Sequence, residues 1–145
     1  MADVIVTSGV NLQNEVRYGE RGDAQTFITD EPAELGGDGA GADPYTLLLA
    51  ALGSCISMTL MLYARRKEWP LERVTVRLSQ RRVHAQDCAG CETKSDGFVH
   101  RIERSVHLEG ASLSPEQHAR LQEIAHKCSV HKTLTSEIVI ANSRE

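Results

Sequence analysis

Two cysteines, Cys55 and Cys128, have the surroundings most typical of thiol chemistry. Cys55 lies in the uncharged, leucine- and alanine-rich run 45–64, and Cys128 lies in residues 125–132, where four side chains are basic or imidazole. Only a thiolate is a strong nucleophile, and nearby cations favour that form. Local surroundings alone therefore predict that Cys128 is the more acidic thiol. The two cysteines together predict a reacting dithiol pair, although each can also be a small, inert core residue.

Two further cysteines, Cys88 and Cys91, form a C-x-x-C motif within the polar stretch 85–97. His84 precedes this motif and His100 follows it, a spacing that can hold one zinc ion with two sulfur and two nitrogen ligands. Three interpretations stay open: a polar loop with two free thiols, a zinc site, and a redox-active dithiol.

Length and charge limit the classes of function. A chain of 145 residues predicts one domain, residues 1–145. Its net charge of -4 argues against non-specific nucleic-acid binding, which needs a basic face. No charged-then-apolar leader opens the sequence, so we expect a cytoplasmic protein with reduced cysteines.

The apolar run 45–64 is long enough to cross a membrane, but glycine, serine and threonine dilute it. We expect instead a helix that is buried on all sides and a protein with no membrane partner. A chain of this size can hardly surround such a helix alone, so the run predicts a homodimer.

The elements that position the cysteines follow from periodicity and capping residues. Asp43 is expected to cap a helix that begins at Pro44 and ends near Lys67, after a Gly-rich loop at 31–43. A capping box at Ser114 opens a second helix, which we expect to carry Cys128 on its apolar stripe. Alternation or β-branched residues predict strands at 4–6, 14–18, 25–28, 71–84, 98–108 and 136–141. This order predicts an α+β domain with mostly antiparallel sheet.

Two motifs, Gly41-Ala42-Asp43-Pro44 leading to Ala50-Ala51-Leu52-Gly53-Ser54-Cys55, and the run from Cys128 to Leu134, are similar to those of the OsmC/Ohr family of thiol peroxidases. The resemblance covers most of the chain from about residue 30. It implies the OsmC-like fold, in which mostly antiparallel sheets pack around two long central helices of an intertwined homodimer. It also implies active sites at the subunit interface. The strands expected at 71–84 and 98–108 are interpreted as a β-hairpin whose enlarged tip, 85–97, carries the C-x-x-C motif. The family motifs do not require this motif.

The resemblance also implies the chemistry. Cys55 would be the peroxidatic thiol, attacking an organic hydroperoxide and becoming a sulfenic acid, and Cys128 would be the resolving thiol. A dithiol reductant, often a protein-bound lipoyl group, would recycle the pair, and no metal or nucleotide cofactor would be required.

The sequence departs from the family pattern directly after Pro44. Family peroxidases carry a glutamate there that holds an arginine over the reactive cysteine, whereas this chain has Tyr45, which cannot form an ion pair. Arg17 and Arg21 are the candidates for the arginine. Tyr45 favours an alternative function, a non-enzymatic module that binds an apolar or sulfur-containing small molecule. A further alternative is a metal or redox sensor that uses Cys88 and Cys91.

Overall fold

The computed structural model describes residues 3–20, 22–91 and 97–143. The chain divides into two compact units, Met1–Leu48 and Leu49–Glu145, and the boundary falls inside the long helix. That the chain is a single domain stays a prediction.

The strands are β1 Val4–Ser8, β2 Asn14–Tyr18, β3 Gln25–Thr29, β4 Arg73–His84 and β5 Phe98–Glu109. The helices are α1 Pro44–Lys67, α2 Pro115–Ile124 and α3 Ser129–Leu134.

The first unit is built on a three-stranded antiparallel sheet in the order β1-β2-β3. The Gly-rich loop after β3 is organised by Asp30, whose side chain is 2% exposed. Backbone N–H groups of Glu31, Asp38 and Ala40 donate to its carboxylate over 2.8, 3.1 and 3.0 Å. The bond from Ala40 is the largest influence, and it holds the pKa of Asp30 below its usual value. One ionised carboxylate thus fixes a loop that the sequence pattern left without regular structure.

The second unit packs α1 against the β4–β5 hairpin and α2. Leu52, Ile56, Leu60 and Ala64 recur every four residues along α1 and form a buried stripe. The strands pair antiparallel over their full length, from Arg73 opposite Glu109 to His84 opposite Phe98. A Cβ at Gly53 would lie 2.8 Å from the terminal methyl of Leu78, so a larger residue would require that side chain to move where β4 crosses α1.

The outer face of α1 is apolar and exposed in the single chain. Met58 is 64% exposed and Leu62 is 53% exposed. Only 22% of the most apolar window of α1, with mean hydropathy 1.9, is buried. By length and composition α1 could also cross a membrane. Core helices of soluble proteins meet the same criterion, so this is weak evidence for a membrane span. One chain therefore does not bury this helix on all sides, and the homodimer that would cover it stays a prediction.

The helix starts are confirmed, whereas the C-terminal end of the chain differs from prediction. Ser114 and Gln117 form the reciprocal bonds of the capping box at the start of α2. The structure corrects the expectation that Cys128 is helical, because α2 ends at Ile124, one short 3-10 turn follows, and Cys128 is extended with ψ 148°. The predicted strand 136–141 is also wrong: these residues pair with no strand among the described residues, and Ile140 is 93% exposed. The sequence did not predict helix α3, which begins directly after Cys128.

Candidate active site

Cys55 lies about three turns inside α1, on a side of the helix that faces the start of α3. Its side chain is partly exposed. The Val130 N–H donates a hydrogen bond to Cys55 Sγ over 3.5 Å. The Ser129 N–H, the Thr59 hydroxyl and the Cys128 side chain are further hydrogen-bond partners of this sulfur. The donors thus come from the next turn of α1 and from the first turn of α3.

Cys128 is the N-terminal cap of α3. Its Sγ accepts a hydrogen bond from the His131 N–H over 3.3 Å, so the thiol takes the role that serine or aspartate usually fills at a helix start. The residue is completely buried, next to Leu121 and Ile124 in the core of the second unit. The first turn of α3 therefore donates N–H groups to both sulfurs, His131 to Cys128 and Val130 to Cys55.

The two thiols differ in acidity, in the order opposite to the one expected from neighbouring cations. Burial acts to raise the pKa of Cys55, but the hydrogen bonds from Val130, Cys128, Ser129 and Thr59 outweigh it and lower that pKa. Burial raises the pKa of Cys128, and its contact with Cys55 raises it further, against the lowering effects of the His131 N–H and the Arg104 charge. The pKa of Cys55 is thus lowered and that of Cys128 raised, which favours Cys55 as the thiol that ionises first.

A cation that the sequence analysis missed, Arg104, lies beside the pair. It projects from β5, and its two terminal nitrogens contact His131 Nδ1 at 3.2 Å and His126 Nδ1 at 2.6 Å. A guanidinium has no acceptor, so both imidazoles must accept at Nδ1. Burial, the Arg104 charge and His126, in that order, lower the pKa of His131. Strand alternation was the available signal, because Arg104 shares the inward parity of Ile102 and Val106.

A cleft of about 350 Å³ opens over this cluster. Leu52, Ile102 and Leu134 contribute apolar wall, and Arg104, His126 and His131 contribute the polar end. The cleft has room for a small organic molecule with one polar group, in the same unit as both thiols.

Asp43 caps α1 as predicted. It accepts hydrogen bonds from the Thr46 N–H over 2.8 Å and the Thr46 hydroxyl over 3.1 Å, and the backbone bond is the main reason that its pKa is lowered. This carboxylate is therefore engaged at the start of the helix.

Cys88 and Cys91 are joined in a disulfide at the tip of the β4–β5 hairpin, contrary to the expectation that all four cysteines are reduced. His84 accepts from the Gln86 N–H and packs on Phe98, and His100 lies 2.7 Å from the Gln80 amide. The structure therefore does not bring the four predicted zinc ligands together. Within residues 3–20, 22–91 and 97–143, no group of three or more His, Cys, Asp or Glu side chains is arranged to hold a metal ion.

A family model for OsmC-like proteins matches residues 36–142, well over half of the chain. The chain belongs to the OsmC family. The matched span contains both Cys55 and Cys128 together with their α1 and α3 settings. No curated protein sequence shows a significant match.

Solved OsmC-family structures share the fold at low sequence identity. An organic hydroperoxide resistance protein from Elizabethkingia anophelis is 21% identical, with TM-score 0.64, over 93% of this chain and 88% of that one. An organic hydroperoxide resistance protein from Legionella pneumophila is 19% identical, with TM-score 0.62, over 93% and 89%. An OsmC-like protein of unknown function from Vibrio cholerae is 16% identical, with TM-score 0.67, over 94% and 95%. The α+β OsmC-like fold expected from the sequence is thereby confirmed.

Tyr45, at the OsmC glutamate position, and Arg17 both belong to the first unit. Tyr45 follows Pro44 in the first turn of α1 and is 55% exposed. Arg17 is exposed on β2, between Ile5 and Thr26 of the neighbouring strands. Arg21 lies outside the described residues. Assistance to Cys55 by either arginine stays a prediction.

Proposed function

We propose that this protein is a thiol peroxidase that reduces organic hydroperoxides. One observation carries the proposal. The first turn of α3 donates N–H groups to Cys55 and Cys128 together, and the pKa of Cys55 is lowered while that of Cys128 is raised. A peroxidatic thiol must ionise, and a resolving thiol must stay out of the first step. Membership of the OsmC family supports the same reaction class.

In the proposed reaction, the Cys55 thiolate attacks the terminal oxygen of the hydroperoxide. The O–O bond breaks, the alcohol leaves after taking up a proton, and Cys55 becomes a sulfenic acid. The Cys128 sulfur then attacks the Cys55 sulfur, the hydroxyl leaves as water with the Cys128 proton, and a disulfide forms. A dithiol reductant returns both thiols by exchange, giving two electrons and two protons. A lipoyl protein is the reductant that we propose.

The Val130 and Ser129 N–H groups stabilise the thiolate form of Cys55. They point at Cys55 Sγ before it reacts, so the anion is favoured without a carboxylate–arginine pair. This accounts for a reactive Cys55 in a chain that carries Tyr45 at the family glutamate position. Neither cysteine lines the neighbouring cleft, but Leu52 of its apolar wall lies about one helical turn before Cys55. In this proposal, an organic hydroperoxide would bury its apolar group against Leu52, Ile102 and Leu134, which hydrogen peroxide cannot do.

We further propose that the active protein is a homodimer of cytoplasmic location. The exposed apolar face of α1, with Met58 and Leu62, is the face that a second copy would cover. The proposal requires no metal or nucleotide cofactor for the reaction.

The direct test is hydroperoxide-dependent loss of thiols in the purified protein, with cumene or tert-butyl hydroperoxide and then with hydrogen peroxide. The proposal expects two thiols lost per chain, faster with the organic peroxides. Cys55→Ser should abolish the loss, whereas Cys88→Ser/Cys91→Ser should leave it intact. Unchanged thiol content in the presence of excess cumene hydroperoxide would contradict the proposal.

A non-enzymatic binding module is the second candidate, and the 350 Å³ cleft is the observation that favours it. A binder would retain an apolar ligand in the Cys55→Ser variant, and its wild-type thiols would survive peroxide. The thiol-loss assay therefore separates the two functions.

A further inference from the structure

The tip of the β4–β5 hairpin carries a cysteine pair that the proposed peroxidase reaction does not use. Cys88 and Cys91 are bonded to each other, with Cα atoms 5.5 Å apart. Cys88 is half-buried and Cys91 is exposed. The pair is three positions apart in sequence and sits on a turn outside the core of the second unit.

This bond adds little to the stability of the fold. A disulfide stabilises mainly by restricting the unfolded chain, and the restriction is smallest for a loop this short. The turn is already held by backbone bonds from the Cys88 N–H to Ala85 O at 3.4 Å and from the Cys91 N–H to Cys88 O at 3.3 Å. Stabilisation of the hairpin therefore does not explain the pair, and its chemistry must be considered.

The guanidinium of Arg101 contacts the sulfur of Cys88. Arg101 Nη1 lies 3.8 Å from Cys88 Sγ and donates to Ala89 O over 2.9 Å. Its Nε bonds Glu103 Oε1 at 2.9 Å, which fixes the guanidinium against the tip. A thiolate formed at Cys88 would lie beside this positive charge, so Cys88 is the better leaving group and Cys91 is the accessible point of attack.

We infer that Cys88 and Cys91 form a reversible thiol–disulfide exchange site for a dithiol reductant. One thiolate of the reductant attacks Cys91 Sγ, the Cys88–Cys91 bond breaks, and Cys88 leaves as a thiolate beside Arg101. The second thiol of the reductant then attacks its own mixed-disulfide sulfur, releasing Cys91 and closing a cyclic disulfide. Two electrons and two protons pass to the pair, and an oxidised dithiol reverses the sequence.

The test uses a Cys55→Ser/Cys128→Ser background, so that all thiol chemistry reports the tip, with dithiothreitol as the dithiol. The rate of reduction is followed by quenched alkylation and mass spectrometry. Arg101→Gln should slow reduction by roughly threefold or more, because a leaving thiolate without the guanidinium beside it is less stable and leaves more slowly. Arg81→Gln is the matched control, because Arg81 bonds the same Glu103 oxygen but has no contact with Cys88.

Single cysteine variants give a second measurement that leaves Arg101 in place. Cys91→Ser leaves Cys88 as a free thiol, and Cys88→Ser leaves Cys91. Iodoacetamide should alkylate Cys88 at lower pH than Cys91. Oxidised glutathione, a stronger oxidant than cyclic dithiothreitol, should re-form the disulfide in the background protein. Three results would each overturn the inference. The first is alkylation of Cys88 and Cys91 at the same pH, and the second is equal reduction rates for Arg101→Gln and Arg81→Gln. The third is one zinc ion per reduced chain by elemental analysis.

Discussion

The Val130 N–H and the Cys55 sulfur are 3.5 Å apart, and this hydrogen bond ties the reactive thiol of α1 to the helix that the second thiol begins. The link is of functional interest because Cys55 is too deep in its own helix to use that helix's positive end. Its stabilising donors come instead from α3, which is 75 positions away in the chain. The acidity of one cysteine thus depends on the local structure that the other cysteine initiates.

Removing the Thr59 hydroxyl should make Cys55 less acidic. This hydroxyl is one of the groups that lower the pKa of Cys55, so Thr59→Val should raise that pKa and shift the pH dependence of the reaction with cumene hydroperoxide to higher pH. Because this hydroxyl is the weakest of those donors, we expect a rate at pH 7 roughly two- to threefold lower, less than about 1 kcal/mol in barrier. Thr59→Ser keeps the hydroxyl and should stay near wild type. A pH profile that Thr59→Val leaves unmoved would refute the role of this bond.

Replacing Arg104 should change the titration of His131. The pKa of folded His131 lies below its usual 6.5, so the unfolded chain takes up this proton at higher pH than the folded protein does. The free energy of unfolding therefore falls as pH drops from about 6.5 toward the folded-state pKa. Arg104→Gln removes the repelling charge, so His131 should titrate at higher pH, and the loss of stability in acid should be smaller. Histidine proton NMR measures the first effect, and unfolding in urea at pH 5 and 7 measures the second. Arg77→Gln, on the outward face of β4, is the control.

The exposed face of α1 should be the subunit contact. Light scattering at micromolar concentration should give about twice the chain mass of 15.9 kDa. Met58→Lys places a charge on this face and should shift the protein toward monomer, while His118→Lys on the exposed side of α2 should not. A well-folded wild-type monomer under these conditions would exclude the dimer.

The hairpin-tip cysteines should be dispensable for peroxide turnover. Cys88→Ser/Cys91→Ser leaves Cys55, Cys128 and the donors of α3 unchanged, so turnover with cumene hydroperoxide should stay within about tenfold of wild type, or 1.4 kcal/mol in barrier. Elemental analysis of the native protein, run beside the steady-state assay, separates a zinc site from a dithiol. A larger fall in turnover would place these cysteines in the peroxidase cycle.

Local signals in the sequence predicted the parts of the fold that depend on local interactions. Asp43 and Ser114 are capping residues whose bonds form within three positions, and alternation along β4 and β5 predicted their pairing. The run Ile138-Val139-Ile140 has strong strand propensity, but a strand also needs a partner, and the described part of the chain supplies none. Propensity therefore failed where pairing decides the structure.

The sequence predicted the two cysteines of the candidate site, but not the burial and hydrogen bonds that surround them. The motifs around Cys55 and Cys128 singled out both thiols, yet the acidity expected from sequence neighbours had the wrong order. Several cations are close to Cys128 in sequence, but they do not decide its pKa. Burial of Cys128 and hydrogen bonds to Cys55 from other parts of the chain have the larger effects on the two pKa values. Arg104 is distant in sequence from both thiols, so only strand parity could indicate it.

The most direct test of the account is the bond that hydroperoxide creates. One equivalent of cumene hydroperoxide is added to the Cys88→Ser/Cys91→Ser protein, which is then digested without reduction and analysed by mass spectrometry. One peptide pair is expected, linked through Cys55 and Cys128 of the same chain. When Cys128 is replaced by serine, dimedone should trap a sulfenic acid at Cys55. Over-oxidised Cys55 beside a free Cys128 thiol in the otherwise intact site would contradict the proposed reaction.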